Sequence, residues 1–583
     1  MKKTGIIDLT SEHLEEHSSL HTPYSGCLSV SKRDKALNEI NDRLSKALCL
    51  TPDRQFFLAP LDPGSGKTSF LCEFIRKKKS EGYFRKEGIL LCFSTKVEIE
   101  KFITASGLDE ADFAVQTSDH IINGEGLGYH AANDAWVLLT THQMVRHHVG
   151  KSFEKAEKFY FNGKPRRLRI WDEALDMAEP VSIRLDDIGS LYGPLRLHHE
   201  KFVETLEAHI PSSAIAIVGD TATIPSTLIV PSKSEAEAVF GKGDARIDLL
   251  VKLDRLKGQA LDIGEDKRLG KALVGHIHEL PDDFAPVFIL DGSGRLKHSY
   301  RLHEAYRKNL WRLTPYQHDY SNLSVRHWKR ASGKTTMLDP SQRREIVEAA
   351  AAQINSDEDE WLVITHKDDD GKRAYSLHDE IKGLVDFGKR RVCFIHWGIH
   401  KATNEYADIK KVMVIGLWRY PESVYRATYR ASTGMSANLA APADLDALRR
   451  SETQEHLLQA VSRSNVRNAD AGGICGDAQV YIIAPAVMLN DAMLMETFPG
   501  CSVTPWTPVA KALPKQAAQL VEEIKRQLSG GTSSIAKKSV RDALGIKASA
   551  LSRHLREKPV QDALQEHGIR SRGKKFEISI HPR

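Results

Sequence analysis

Residues 55–78 read QFFLAPLDPGSGKTSFLCEFIRKK: a short apolar run, then Pro63-Gly64-Ser65-Gly66-Lys67-Thr68, then an amphipathic stretch. The run predicts a strand and the stretch after Lys67 a helix. Glycines between them free successive backbone N–H groups to turn inward around an anion, and the helix N-terminus adds its positive dipole end. A lysine followed by threonine at the helix start suits a nucleotide: Lys67 reaches the β- and γ-phosphates and the Thr68 hydroxyl ligates Mg²⁺. The general pattern has a glycine six residues before the lysine, and Leu61 stands there instead. The plainer alternative, a glycine-rich turn with an incidental lysine, does not explain why strand, loop and helix follow in this order.

Outward from this loop, short apolar runs alternate with helical stretches. QFFLAP (55–60), GILLCFS (88–94), AWVLLTT (135–141), RLRIWDEA (167–174) and PVFILDGS (286–293) all end in small, polar or acidic residues. Such alternation predicts a parallel sheet covered by helices, with ligands at the carboxyl ends of the strands. A second series follows: LSVRHW (323–328), EWLVITHK (360–367), RRVCFIHWG (390–398), KKVMVIGL (410–417) and AQVYIIAP (478–485). Between the acidic pair of the first series and PVFILDGS the pattern is largely helical, with helices expected over 197–210 and 264–280. The fold class expected is α/β, two tandem parallel-sheet domains with a helical insert and a small C-terminal domain. The boundaries are a flexible arm at 1–32, a first domain at 33–320 with its insert at about 181–280, a second domain at 321–500, a proline-rich linker at 501–513 and a last domain at 514–583.

RLRIWDEALDM places Asp172 and Glu173 at a strand end. An Asp there can hold Mg²⁺, directly or through water, and the adjacent Glu can polarise an attacking water. Acids in the first turn of a helix are common and would look the same; the phosphate loop gives the pair its meaning. Gly333-Lys334-Thr335 imitates the end of that loop but runs into Asp339-Pro340, a new helix start, and reads as a basic loop.

The pairing of PGSGKT with DEAL resembles motifs I and II of superfamily 2 helicases, the DEAD/DEAH-like group, and further stretches match in the same order over roughly residues 50–485. LLCFSTKVEIEKF resembles motif Ia, with Ser94 and Thr95 where the family contacts the nucleic-acid backbone, and VLLTTHQMV the next strand-end motif, with Thr140 and Thr141. FILDGSG resembles motif III, with Asp291 and Ser293 in a coupling position, and WLVITHK motif IV. HWGIHKATNEYADIKKVMVIG resembles motif V, with Gly398, Thr403 and Asn404, and EHLLQAVSRSNVRN motif VI, with Gln459, Arg463 and Arg467. The arginines stand four and eight residues after the glutamine, where the family has four and seven, so which one is the arginine finger stays open. The resemblance implies two RecA-like domains with ATP and Mg²⁺ between them and catalysis by Lys67, Asp172, Glu173, Gln459, Arg463 and Arg467. Motif III together with motif V and a large insert resembles the helicase-like proteins of plasmids, phages and integrated elements.

Composition narrows the remaining classes. The 583 residues are 41% hydrophobic and 27% charged, as in a chain with packed cores. Apolar runs stay far below the ~20 residues of a membrane helix, and the N-terminus carries no apolar signal core. Seven cysteines, no two closer than twenty residues, exclude a zinc knuckle or iron–sulfur spacing and predict reduced thiols in the cytoplasm. The 25 histidines form no set of ligands at metal spacing. Net charge is +5, yet residues 511–583 alone carry +9, nine Lys and seven Arg against seven acids. Within them SVRDALG and KASALSRHLRE predict helix–turn–helix, with Val540, Ala543, Leu544, Leu551 and Leu555 inward and Ser549, Ser552, Arg553 and Arg556 outward. GIRSRGKKFEISI predicts a hairpin tipped by Arg572, Gly573, Lys574 and Lys575. This resembles a winged helix that reads a DNA duplex, though winged helices also serve protein contacts. The expected function is an ATP-dependent helicase or translocase on nucleic acid, DNA by preference. A duplex-tracking remodeller or defence-system motor without unwinding, and a nucleotide-sensing DNA-binding regulator, are its rivals.

Overall fold

The computed structural model describes residues 31–49, 54–82, 87–266, 270–367, 375–388, 391–398, 405–508, 515–529, 533–557, 560–561, 563–564 and 568–578. The arm expected at 1–32 lies outside them except for its last two residues, and Thr403 and Asn404 lie outside them too.

The chain runs through β1 (Phe56–Pro60), β2 (Ile89–Phe93), β3 (Phe113–Gln116) and β4 (Val137–Thr141), a short ribbon of β5 (Tyr160–Phe161) and β6 (Lys164–Pro165), and β7 (Leu168–Asp172). The insert contributes β8 (Glu179–Arg184), β9 (Thr221–Thr223), β10 (Ala260–Asp266) and β11 (Gly270–Ile277), after which β12 (Val287–Asp291) and β13 (Leu310–Arg312) return to the first domain. Among the described residues the first sheet has the order β13-β1-β12-β7-β2-β4-β3, parallel throughout. Both faces are covered, which is why its strands read as unbroken apolar runs. Phe57 and Ala59 pack with Ile40, Leu44, Phe74 and Phe102 on one face, Phe56 and Leu58 with Val145, Phe153 and Tyr300 on the other. Full burial of one such Phe is worth ~1.5–3 kcal/mol.

The second domain holds β14 (Leu323–Trp328), β15 (Trp361–Thr365), β16 (Val392–His396), β17 (Lys411–Ile415), β18 (Ala478–Ile483) and β19 (Ser502–Pro505). Their order is β16-β15-β17-β18-β14-β19, again all parallel. The molecule is thus two RecA-like α/β domains in tandem. The linker expected from 501 starts later: Ser502–Pro505 pairs with β14, and Trp506 is buried beside Tyr481. Gly333-Lys334-Thr335 is no loop either; it starts a five-residue helix, Lys334–Leu338, ahead of the Pro340–Ile354 helix that Asp339 caps.

The helix expected over 197–210 is present as Glu200–His209; the insert also holds the helices Leu185–Arg196 and Ala245–Arg255 and an antiparallel sheet of order β8-β11-β10-β9, which were not expected. The helix expected over 264–280 is a hairpin instead. Gly270, which opens β11 opposite Asp266, is at φ +78, a left-handed conformation that glycine takes without strain. Glycines at 264 and 275 further weaken any helix there by about 1 kcal/mol each. The helix Glu422–Thr433 of the second domain packs across β8 and β11. Behind that contact Asp262, fully buried, accepts from Arg430 at 2.7 Å, the Ser436 hydroxyl at 2.6 Å and the Ala437 N–H at 2.7 Å.

The last unit has its own core of Leu520, Ile524, Val540, Leu551, Ile569 and Phe576. A Lys515–Leu528 helix precedes β20 (Ser534–Ala536), helices Lys537–Leu544 and Ala548–His554, and the hairpin β21 (Ile569–Arg572) and β22 (Lys575–Ile578), with sheet order β20-β22-β21. Gly545 ends the first of the paired helices at φ +61. Ala543, expected inward, is exposed, and Leu544 is half-buried. No helix among the described residues is long and apolar enough to cross a membrane.

Candidate active site

The loop between β1 and the Lys67–Ser80 helix is left-handed at Gly64 (φ +86) and Gly66 (φ +88). A Cβ on Gly64 would overlap the Arg467 carbonyl oxygen, and one on Gly66 would come within 2.6 Å of the Arg33 guanidinium. Glycine is therefore fixed here by neighbours as well as by torsion. Leu61 stands where glycine is usual because its residue is still sheet: it bridges to Tyr316, and its side chain is buried in the core. Its carbonyl takes the Lys67 ammonium at 2.9 Å, with the Asp62 carbonyl at 3.4 Å. The Ser65 carbonyl accepts from Arg33 at 2.8 Å.

Two supports of this loop were invisible in the sequence because their partners are far apart along it. Asp62, fully buried, accepts from Arg295 Nε at 2.7 Å and from the Tyr320 hydroxyl at 2.7 Å. Arg295 also donates to the carbonyls of Glu496 (2.9 Å) and Thr497 (2.6 Å), which ties the phosphate loop to the second domain. His318 lies on the Pro63 carbonyl at 3.1 Å.

At the end of β7, Asp172 and Glu173 face the loop. Burial and the neighbouring Glu173 push the Asp172 carboxyl up to about 8, against the pull of Lys67. Glu173 is raised by burial, with Lys67 and Arg463 pulling it down and Asp291 and Glu98 pushing it up. Its backbone is at φ +77, uncommon outside glycine. This conformation turns the side chain toward the second domain, where Gln459 Nε2 lies 3.4 Å from its carboxylate. One cleft of about 320 Å³ is lined by Gly64, Gly66, Lys67, Thr68, Asp172, Glu173, Gly292, Gln459, Arg463 and Arg467. Burial lowers the pKa of both arginines. Ser65 has its side chain buried and its N–H on the Asp62 carbonyl at 3.2 Å, and it does not line the cleft.

The donor set fits Mg²⁺. Asp172 is a desolvated carboxylate crowded by further carboxylates, so a divalent cation beside it supplies charge that Lys67 alone does not. Thr68 adds a neutral oxygen. Among the described residues no group of three or more His, Cys, Asp and Glu forms a metal cage. Two protein oxygens suit an ion that keeps its waters and shares substrate phosphates.

Asp291 and Ser293 sit behind this cleft at the end of β12. Asp291 accepts from the Ser293 N–H and hydroxyl, both at 2.7 Å, and from the Tyr300 hydroxyl at 2.8 Å; the Leu175 N–H donates to that same hydroxyl at 2.9 Å. Tyr300 thus joins the Asp291 turn to the loop after Glu173, a link no motif spacing announces. Trp171 is stacked by His142 at 3.9 Å, and burial lowers the His142 pKa to about 3.

The remaining strand-end residues separate. Ser94 is exposed and donates to Glu98; Thr95 caps the Lys96–Ser106 helix with Glu98 completing the reciprocal pair. Thr141 caps the His142–His148 helix. Thr140 departs from the expectation of a nucleic-acid contact: it is fully buried and donates to the Gln116 carbonyl at 2.7 Å, holding β4 to β3. Gly398, at φ +111, follows β16. In the last unit Ser552, Arg553, Arg556, Arg572, Lys574 and Lys575 are all exposed.

No protein-family model matches the chain, and no curated protein matches it. Among solved structures it is similar to Xpd4 of S. tokodaii at 13% identity, over 81% of this chain and 99% of that one, with a TM-score of 0.44. It is similar to an XPD helicase at 11% identity, over 81% and 99% of the two chains, with a TM-score of 0.45. It is also similar to S. cerevisiae Dbp5, solved bound to RNA and ADP BeF3, at 9% identity, over 81% and 93%, with a TM-score of 0.34.

Proposed function

We propose that the chain is an ATP-driven motor of the superfamily 2 helicase type that translocates on or unwinds nucleic acid, DNA by preference. One observation carries this reading: a single cleft joins a phosphate loop and an acidic strand end of one domain to a glutamine and two arginines of the other. A nucleotide in such a cleft completes its own site only when both domains close on it, and closure and release are what a motor needs.

The roles follow from position. Backbone N–H groups of Gly64, Ser65 and Gly66 cradle the phosphates, and Lys67 leaves the Leu61 carbonyl for their charge. Thr68 and Asp172 hold Mg²⁺, which when bound neutralises phosphate charge. Glu173 orients and deprotonates the attacking water, Gln459 holds Glu173, and Arg463 and Arg467 meet the charge that develops on the transferred group. The Asp291–Tyr300–Leu175 link passes displacement of the catalytic loop to the insert side of the domain. Ser94, Thr95 and Thr141 contact a strand backbone, as do Thr403 and Asn404 of the motif V stretch, while Gly398 couples with Asp291 and Ser293. The last unit acts as a winged helix: Ser552, Arg553 and Arg556 face the groove while Arg572, Lys574 and Lys575 meet phosphates.

ATP turnover measured with single-stranded DNA, duplex DNA and RNA as stimulators tests the reading, with Lys67→Ala as the control. Stimulation by DNA that vanishes in Lys67→Ala is expected. Turnover retained in a folded Lys67→Ala protein would overturn the site. Strand displacement then separates unwinding from tracking on duplex.

A further inference from the structure

Lys297 belongs to the first domain, just after the Asp291 turn, and its N–H donates to the Ser293 carbonyl. Its side chain is only 4% exposed, unusual for a lysine. The ammonium lies 3.3 Å from Glu455, itself 2% exposed, and 3.6 Å from Asp176. Burial alone would discharge it, but Asp176, Glu455 and Glu452 together hold its pKa well above the usual value, so it is a cation.

The two partners are placed tellingly. Asp176 is three residues beyond Glu173 on the same loop. Glu455 is four residues before Gln459 in the Pro442–Val461 helix, hence on the same helical face one turn away. The loop and the helix are therefore joined twice, once by Gln459 on Glu173 and once by Asp176–Lys297–Glu455. The first join is a single long hydrogen bond of 3.4 Å between neutral amide and carboxylate. The second is a buried cation in ionic contact with two carboxylates, one on each of the two elements.

We propose that Lys297 is a positioning residue which, resting on the ATPase reading above, sets the second-domain helix against the catalytic loop so that Gln459, Arg463 and Arg467 arrive in register with Glu173. Its ionic contacts are with Asp176 and Glu455, so it acts on turnover and leaves nucleotide binding to the loop at Gly64–Thr68. Holding the two elements in register keeps Gln459 and the arginines in reacting geometry, an effect that falls on kcat.

The test is ATP turnover by the full chain with a DNA stimulator, comparing wild type, Lys297→Arg, Lys297→Met and Lys297→Met with Glu455→Gln, each with a melting curve. Lys297→Arg should keep most of kcat, since a guanidinium also bridges two carboxylates. Lys297→Met should lower kcat by about tenfold or more with the KM for ATP nearly unchanged. Lys297→Met strands Glu455 as a buried charge and can fail to fold. The double variant removes that charge, should melt close to wild type, and decides the matter. Reduced kcat in the folded double variant supports positioning; kcat within twofold of wild type, or a raised KM with normal kcat, overturns it. Turnover in wild type no greater than in Lys67→Ala would instead overturn the nucleotide reading, and this one with it.

Discussion

Glu173 combines a left-handed backbone with a carboxylate whose pKa is raised by burial. Strain of this type, of order 1–3 kcal/mol, persists where the surroundings over-determine it. Here the surroundings are its own N–H on the Leu290 carbonyl at 3.2 Å and the Gln459 amide. Replacing the carboxylate by an amide removes the base and keeps the shape. Glu173→Gln should bind ATP as wild type does and turn it over about 10²–10⁴-fold more slowly, measured as single-turnover hydrolysis beside equilibrium nucleotide binding. Wild-type hydrolysis would remove Glu173 from the mechanism. His142 makes a second prediction at this scale. It is neutral in the fold with a pKa of about 3, while a free His titrates near 6.5. Protonation favours the unfolded chain, so this contribution is complete above pH 6.5 and is lost as pH falls from there toward 3. At pH 5 the loss is about 2 kcal/mol. His142→Gln should therefore show a smaller drop in unfolding free energy between pH 7 and pH 5 than wild type, by roughly that amount. Equal drops would place the proton elsewhere. Lys67, Thr68, Asp172 and Glu173 were legible because their chemistry is written in consecutive residues after a strand. Asp62, Arg295, Tyr300 and Lys297 were not, since each acts through a partner more than a loop away.

The Pro442–Val461 helix explains the irregular arginine spacing. It stops at Val461, Arg463 follows the end, and Arg467 closes a short turn at Asn465–Arg467. The residue that breaks the expected interval is absorbed where the helix has already ended, so both arginines still line the cleft. Both act on Glu173: Arg463 is among the strongest groups that hold its carboxyl down, and Arg467 also interacts with it, more weakly. Both Arg463→Ala and Arg467→Ala should slow hydrolysis. Arg463→Ala should also move the acidic limb of the kcat–pH profile to higher pH, and further than Arg467→Ala does, because a base that loses its nearer cation holds its proton longer. A larger shift with Arg467→Ala would reverse their roles. At this scale the sheets of both domains could be read from apolar runs, since strands buried on both faces leave an unbroken signal. The insert could not. Its hairpin at β10 and β11 has the charge and length of a helix, and only the glycines at 264, 270 and 275 mark it. The short strand β3 has four residues and β13 three, too few for any periodicity to show.

The whole molecule divides its charge as it divides its cores. Residues 511–583 carry +9 and the rest of the chain −4. The last unit packs on its own core, so its removal exposes none of the other two domains' apolar clusters. Every cleft residue precedes it, Asn468 being the last. Deleting 511–583 should therefore leave basal ATP turnover in place and weaken duplex binding. The weakening has a signature. Each phosphate contact releases counterions and contributes about 0.9 to the slope of log affinity against log salt. If Arg572, Lys574 and Lys575 each meet one phosphate, deletion flattens that slope by about 2.7. Within the intact chain, Lys574→Ala at the hairpin tip should weaken all duplexes alike and lower the slope by about one contact. Arg553→Ala, on the exposed face of the Ala548–His554 helix, should reduce discrimination between duplex sequences. Binding curves of full-length and truncated protein over a salt series decide between a DNA-reading unit and a protein-docking one. Superimposable curves would assign those exposed cations to an acidic protein surface, and the motor would then grip its track through the cleft alone.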